Sequence, residues 1–156
     1  MEETRSKFNV SDNVSKRTYD GIVFDSELEM KYYRDYVLPE FNSGNIVHYE
    51  MQKKYVLLPS FMYMGKAVLP IEYKADFYLV FADGSKQVID IKGFKEPTAK
   101  LKRKLFWYKF PNIKYLWIGY SKIDGGWVPI EVIAKGRNDR RRLKRKEKEL
   151  KEKKGK

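Results

Sequence analysis

Four side chains in this sequence have the types and spacing for metal-assisted hydrolysis: Glu29, Asp76, Asp90 and Lys92. Asp90 and Lys92 are two residues apart in an apolar run, so on a strand both point to one side. Two carboxylates brought close together repel each other unless a cation lies between them. Hard oxygen ligands suit Mg²⁺ or Mn²⁺, which can stabilise the charge developing on a phosphodiester and help ionise the attacking water. The lysine can position or deprotonate that water.

A β-hairpin must bring Asp76 and Asp90 together. Residues 73–81 are rich in β-formers and predict a strand, and residues 87–92 predict the returning strand. Asp83-Gly84 between them is a turn signal. The hairpin therefore predicts one sheet surface on which both acids could lie.

The length of the hairpin loop decides whether the two acids share a face. A loop of odd length, such as Asp83-Gly84-Ser85 with a bulge, pairs Asp76 with Lys92 and Tyr78 with Asp90. A plain two-residue turn places the two acids on opposite faces. The catalytic interpretation therefore predicts an odd or bulged loop.

Glu29 belongs to a predicted helix from Asp25 to about Leu38, which Asp25 or Ser26 caps and Pro39 ends. It lies within an apolar stripe of leucine, tyrosine and valine at helical spacing. A carboxylate on that face needs a partner, because burying its charge alone is costly. Ser26-x-x-Glu29 is also a capping box, and the capping and ligand roles do not exclude each other.

The remaining pattern predicts an α/β domain with a mixed sheet. A second helix begins at Pro97, with Leu101, Leu105 and Tyr108 as its expected inner face. The other predicted elements are extended segments within 46–58, an irregular loop or hairpin at 59–70, and strands at 115–119 and 127–134.

Charge is concentrated at the C-terminus. The formal net charge is +12, and residues 137–156 contain 12 Lys/Arg against 4 Asp/Glu. With only Leu143 and Leu150 as apolar residues, this tail is expected to be helical or disordered and to fray without a partner. A basic excess of this size favours polyanions such as nucleic acid. The predicted nucleic-acid contacts are Lys102, Lys104, Arg140, Arg141, Arg142, Lys144 and Arg145.

Composition excludes several classes of chemistry. The sequence has no cysteine, which excludes disulfides, thiolate metal sites and cysteine nucleophiles. It has no apolar run of membrane-spanning length, and its start lacks a signal-peptide pattern. A soluble, cytoplasmic protein is therefore expected, with no membrane partner and no small-molecule cofactor.

The ordered set of motifs resembles the PD-(D/E)XK nuclease superfamily. Asp76, followed by Asp90-Ile91-Lys92 on a hairpin, is similar to its defining motif, although Ala75 stands where the motif has proline. The fuller pattern, which adds Phe24-Asp25-Ser26-x-x-Glu29, Gln52 and a lysine-rich helix, resembles a small phage-borne branch of endonucleases and Holliday-junction-resolvase-like proteins. The resemblance covers about residues 19–120.

This resemblance implies a restriction-endonuclease-like core with αβββαβ order, in which a central four-stranded mixed sheet is flanked by helices. It implies that Glu29, Asp76, Asp90 and the Ile91 carbonyl hold Mg²⁺ or Mn²⁺, and that Lys92 is the catalytic lysine. The implied substrate is DNA, possibly branched, cut by a homodimer in the host cytoplasm. The implied organisation is a flexible segment 1–18, a nuclease-like domain 19–135 and a basic tail 136–156.

Two other functions fit the same basic surface. One is a non-catalytic DNA- or RNA-binding protein on the same scaffold, which needs no metal. The other is an accessory protein that recruits a partner through its tail. Asp76 and Lys92 taken alone could be a cross-strand ion pair, so only the combined set with Asp90 and Glu29 favours the nuclease.

Overall fold

The computed structural model describes residues 13–91 and 97–154. Its strands are β1 (Thr18–Tyr19), β2 (Ile22–Val23), β3 (Ile46–Leu58), β4 (Phe61–Tyr63), β5 (Lys66–Val68), β6 (Ile71–Phe81), β7 (Lys86–Ile91), β8 (Lys114–Ser121) and β9 (Gly126–Pro129). A five-stranded mixed sheet has the order β3-β6-β7-β8-β9 and is flanked by helices, which confirms the predicted α/β class. β1 with β2 and β4 with β5 form two small antiparallel ribbons.

The helices are α1 (Glu27–Tyr32), α2 (Leu38–Asn42), α3 (Pro97–Lys109) and α4 (Ile130–Lys154), and a π-helical turn (Tyr33–Val37) joins the first two. The described residues up to Leu116 form one compact unit, and those from Trp117 onward form a second. None of the helices in the described part of the chain is both long and apolar enough to cross a membrane.

The first predicted helix starts as expected but does not end at Pro39. Ser26 is the N-cap, and its hydroxyl accepts the Glu29 N–H at 3.1 Å. The prediction of an end at Pro39 was wrong, because Pro39 lies in the first turn of α2. In the π-helical turn before it, the Leu38 N–H bonds to the Tyr33 carbonyl five residues earlier. This wider turn makes room for the proline ring, which would clash with the preceding turn of a regular α-helix.

The predicted inner face of α3 was also wrong. Leu101 and Tyr108 are 56% and 90% exposed, whereas Phe106 is fully buried. Phe106 lies in an aromatic cluster, with ring centroids 5.1 Å from both Tyr55 and Tyr115. This large apolar surface sets the rotation of the helix, because burying an aromatic ring stabilises more than burying one leucine.

The last predicted strand is shorter than expected. β9 ends at Pro129, and α4 begins at the next residue and takes in the rest of the predicted strand 127–134. Proline cannot donate to a strand ladder, so it ends β9. The residues after it include good helix formers, and the helix runs to Lys154.

Candidate active site

The β6–β7 hairpin has the odd loop that a shared acidic face requires. Phe81 and Ser85 close it, with the Phe81 N–H donating to the Ser85 carbonyl at 2.9 Å. The three loop residues are therefore Ala82, Asp83 and Gly84, and Gly84 adopts φ +83°, which glycine tolerates without strain. The Asp83 carboxylate accepts the Ser85 N–H at 2.8 Å and stabilises the turn.

The pairing of the hairpin differs from the prediction by one step. Tyr78 pairs with Val88 and Phe77 with Ile89, so the expected pairing of Tyr78 with Asp90 was wrong. The loop begins one residue earlier than predicted, which moves each partner by two residues. Continuing the observed register by one residue places Asp76 opposite Asp90, so the two acids share a face without any shift.

Asp76 interrupts the ladder at this point. The regular strand pairing ends at Phe77 and Ile89, and the Ile91 N–H donates to Asp76 Oδ2 at 2.7 Å. Burial raises the pKa of Asp76 well above its ordinary value, and the charges of Glu29 and Asp90 raise it further. Two carboxylates that face each other across a strand pair are destabilising. The hydrogen bond from the Ile91 N–H therefore holds the Asp76 carboxylate in an electrostatically unfavourable position.

Asp90 is buried, with only 5% of its surface exposed. The Tyr115 hydroxyl, on β8, donates to Asp90 Oδ2 at 3.0 Å. This bond holds Oδ2 and so fixes the orientation of the Asp90 carboxylate. Tyr115 is held in turn by ring contacts with Tyr73 and Phe106, both with centroids 5.1 Å away.

Glu29 brings a third carboxylate from helix α1. It is 7% exposed, and the Ser26 hydroxyl donates to its Oε1 at 2.8 Å. Its Oε2 is buried and has no hydrogen-bond partner among the described residues. Burial raises the pKa of Glu29, with further contributions from the charges of Asp25 and Asp90, while the Ser26 hydrogen bond opposes the rise.

The donor atoms present fit a hard divalent cation. Glu29 offers a buried carboxylate oxygen without a partner, which is costly unless a cation or water satisfies it. Burial, and after it the charges of neighbouring carboxylates, raise the pKa of both Glu29 and Asp76, and a cation would relieve the repulsion. Within 13–91 and 97–154, no three acidic or histidine side chains already stand at metal-ligand spacing.

Gln52 on β3 was singled out by resemblance alone, and its backbone is unusual. It adopts φ +56°, a left-handed conformation that costs about 1–2 kcal/mol in a residue other than glycine. The flanking pairs Met51–Phe77 and Lys53–Ala75 place it opposite Asp76. Its Oε1 is buried and finds no hydrogen-bond partner in the described part of the chain. Strain and an unsatisfied oxygen beside Asp76 extend the candidate site to a third strand.

Some predicted site residues cannot be placed and others lie apart. Lys92 is outside the described residues, so its role stays a prediction. Lys102 and Lys104 lie on α3, where Lys102 is half-buried and Lys104 exposed. In the second unit, Arg140 makes a bidentate ion pair with Asp124 at 2.6 and 3.1 Å. The other predicted tail contacts are exposed on α4: Arg141, Arg142, Lys144 and Arg145.

Sequence reasoning did not identify Tyr115 as part of this site. It was predicted only as the first residue of a strand. Its contact with Asp90 depends on β8 lying beside β7 after a helical connection, and no local pattern encodes that neighbour.

Comparisons with known proteins give a family without an assigned activity. No curated protein matches the sequence, and no solved structure matches it. Residues 5–123 match the family model described as protein of unknown function (DUF1064). That segment includes every carboxylate of the candidate site and most of the chain. The protein therefore belongs to the DUF1064 family.

Proposed function

We propose that this protein is a Mg²⁺- or Mn²⁺-dependent DNA endonuclease of the PD-(D/E)XK kind. The observation that carries the proposal is the meeting of Asp76 and Asp90 on one face of a hairpin, with Glu29 close enough for its charge to act on Asp76. Buried ionisable groups with strongly shifted pKa values cluster at functional sites. The pattern of oxygen donors and the following basic helix favour phosphodiester chemistry.

The protein's own groups prepare the site in defined ways. Glu29, Asp76, Asp90 and the Ile91 carbonyl would hold the cation, which when bound stabilises charge on the phosphodiester and helps ionise water. Tyr115 holds Asp90, and the Ile91 N–H holds Asp76, so neither carboxylate must reorganise on binding. Lys92 would position the attacking water or take its proton.

The cleavage test uses a panel of junction, flap, duplex and single-stranded DNA, and RNA, with Mg²⁺ and Mn²⁺. Wild type is compared with Asp76→Ala, Lys92→Ala and, as a matched control, Asp83→Ala, which removes an exposed acid from the loop of the same hairpin. We expect the first two variants to lose at least about a hundredfold in rate and the control to stay within a few-fold. Equal activity in wild type, Asp76→Ala and Lys92→Ala would exclude the mechanism.

A non-catalytic nucleic-acid-binding protein is the competing function, and the twelve basic residues of the tail favour it independently. Isothermal calorimetry with Mn²⁺ separates the two. Binding by wild type that disappears in Asp90→Ala supports the nuclease. DNA affinity that is intact without any metal binding supports the competing function.

A further inference from the structure

The β4–β5 ribbon is an extension of the β3–β6 pair beyond a break. Leu58 pairs with Ile71 at the end of the sheet, and Phe61 pairs with Val68 in the ribbon. The register between these pairs is unchanged, so Pro59 and Pro70 face each other. Neither has an N–H to donate, which interrupts the ladder and separates the ribbon from the sheet.

The ribbon ends in a tight two-residue turn. Tyr63 pairs with Lys66, and the two residues between them, Met64 and Gly65, have φ values of 46° and 76°. Positive φ at both positions is the signature of the turn that favours a twisted hairpin. The turn therefore sets the twist of the ribbon.

Both faces of the ribbon, its tip and its base are apolar and open to solvent. Phe61 and Tyr63 point to one face and are 45% and 63% exposed. Met62 points to the other face and is 66% exposed, while Met64 at the tip is 86% exposed and Leu69 at the base is 80% exposed. A two-stranded ribbon is marginally stable alone, and a contiguous exposed apolar surface marks an interaction site.

The charge around the ribbon selects the kind of partner. Residues 51–71 contain three lysines and no acidic residue, and an exposed acid on the adjoining stem, Glu72, pairs with Val56. Lys53 pairs with Glu50 at 2.7 Å, which leaves Lys54 and Lys66 as exposed cations along the ribbon and its stem. A second copy of this chain would bring the same positive charge to the contact, so a polyanion with an apolar component is the complementary partner.

We propose that the ribbon binds unpaired or unstacked bases of a nucleic acid. Phe61 and Tyr63 supply stacking surfaces, Met62 and Met64 supply apolar wedges, and Lys54 and Lys66 contact backbone phosphates. Methionine and phenylalanine are among the side chains that proteins insert between base steps, and bases stack on aromatic rings without regard to sequence. The ribbon therefore selects DNA with branches, gaps or ends over continuous duplex.

The ribbon and the carboxylates can reach one nucleic-acid molecule. Both belong to the same compact unit, and β6 runs from the ribbon's base at Ile71 to Asp76. Five residues of strand span about 17 Å, which is about half of a duplex turn of roughly 34 Å. This inference rests on the proposed nuclease function, because it assigns the structure of that enzyme's substrate.

The test measures DNA binding by anisotropy in EDTA, so that no cleavage occurs and no metal is required. The probes are a continuous duplex and a forked duplex of equal length, with 2-aminopurine at the fork. Wild type is compared with a Tyr63→Ser/Met64→Ser variant and with Tyr108→Ser, which removes an even more exposed tyrosine from α3. We expect wild type and Tyr108→Ser to prefer the fork by about tenfold, with a rise in 2-aminopurine fluorescence, and the ribbon variant to lose both.

An unchanged fork preference in the ribbon variant overturns the inference. If the fork preference persists while the ribbon variant loses binding to phosphatidylserine vesicles, the surface is assigned to a membrane. If the fork preference persists while the variant loses self-association, the surface is assigned to a second copy of the chain. Either result also overturns the inference. Failure of the nuclease proposal is distinguishable: wild type would then bind the fork through the ribbon but cleave no substrate with Mg²⁺ or Mn²⁺. If wild type and the ribbon variant prefer and cleave the fork equally, the nuclease proposal stands and the inference about the ribbon fails.

Discussion

The Asp76 carboxylate destabilises the metal-free protein. Burial and the charges of Glu29 and Asp90 raise its pKa, so above the ordinary carboxyl value of 3.8 the folded state holds this proton more tightly than the unfolded state. The free energy of unfolding therefore falls as the pH rises from 3.8 through the raised pKa of the folded state. We expect Asp76→Asn to raise the melting temperature at pH 7 in EDTA, by about 2–4 °C for each kcal/mol of relieved repulsion. Thermal unfolding of both proteins from pH 4 to 8 measures the effect.

Asp83→Asn is the control for this prediction, because the Ser85 hydrogen bonds lower the pKa of Asp83 and its charge is favourable in the fold. It should leave the melting temperature unchanged or lower it. Mg²⁺ should stabilise wild type and lose most of its effect on Asp76→Asn, since a ligand stabilises only the state that binds it. A lower melting temperature for Asp76→Asn in EDTA would contradict the account of Asp76 as a repelled carboxylate.

Tyr115 is a positioning residue for Asp90. We expect Tyr115→Phe to weaken Mn²⁺ affinity or cleavage by about 10–100-fold while the fold persists, because the phenyl ring keeps the aromatic contacts while the donor to Asp90 Oδ2 is removed. Calorimetry with Mn²⁺ and cleavage rates at several Mn²⁺ concentrations measure the change. Tyr55→Phe removes a buried hydroxyl that has no hydrogen-bond partner among the described residues and should leave both readouts unchanged. Equal effects in the two variants would show that Tyr115 acts only through packing.

The sequence predicts the three carboxylates of the candidate site but not the neighbouring groups that hold or flank them. Glu29, Asp76 and Asp90 stand out because a charge in an apolar pattern is visible locally. Neither the left-handed backbone of Gln52 nor the hydroxyl that holds Asp90 leaves such a signal. Both depend on which strands become neighbours, and that is decided by the whole fold.

At the scale of elements, one acidic residue of the second unit, Asp124, holds the first part of α4 through an ion pair. The Asp124 side chain is 7% exposed, accepts from the Ser121 hydroxyl at 2.6 Å and pairs with both terminal nitrogens of Arg140. Gly136 allows this approach, because a Cβ at that position would collide with the Asp124 carboxylate. The ion pair anchors the basic helix at its first turns and leaves the later turns exposed.

The anchor predicts a pH dependence. The hydrogen bonds that Asp124 accepts from Arg140 and Ser121 lower its pKa to about 2. Because the folded pKa is depressed, the stabilisation is complete above the ordinary value of 3.8 and is lost as the pH falls through the folded value. Asp124→Asn should lower the melting temperature by several degrees at pH 7, and the difference from wild type should shrink steadily as the pH falls below 3.8. Glu147→Gln, an exposed acid on the same helix, is the control, and a difference that keeps its full size at a pH of about 2 would contradict the ion pair as its source.

Errors in element prediction have local physical causes. Pro39 signals a helix end, but one π-helical turn accommodates it. The odd loop of the β6–β7 hairpin was predicted correctly, whereas its first residue was misplaced by one. The odd loop was expected only from the catalytic interpretation, because Asp83-Gly84 alone also fits a two-residue turn. The starting point of the loop depends on how both strands pack, so the register was not accessible from the sequence.

At the scale of the whole molecule, most of the net positive charge and the candidate site lie in different parts of the sequence. All three carboxylates lie in the first compact unit, while most of the net charge of +12 lies in residues 137–156. The α/β class was predictable, since alternating helix and strand patterns follow from composition and periodicity. The division into units at Leu116 was not, because it falls inside the continuous strand β8.

This separation predicts that the tail sets DNA affinity and leaves the chemistry unchanged. Removing residues 137–156 would also remove Arg140 and leave Asp124 unpaired, so truncation from Leu143 onward is the sharper test. It deletes eight basic and three acidic residues. We expect weaker binding at low salt and a smaller slope of log affinity against log salt, by about 0.9 for each duplex phosphate that the tail no longer neutralises. Cleavage rates at saturating DNA should match those of the full-length protein.

Anisotropy from low to high salt gives the slope, and single-turnover cleavage gives the rate. A variant with Lys144, Arg145 and Lys146 changed to glutamine is the control for length, since it removes charge while the helix keeps its residues. It should reproduce part of the change in slope, because the effect comes from released counterions and not from helix length. An unchanged slope in the truncated protein, with a reduced single-turnover rate, would instead place the tail in the catalytic step.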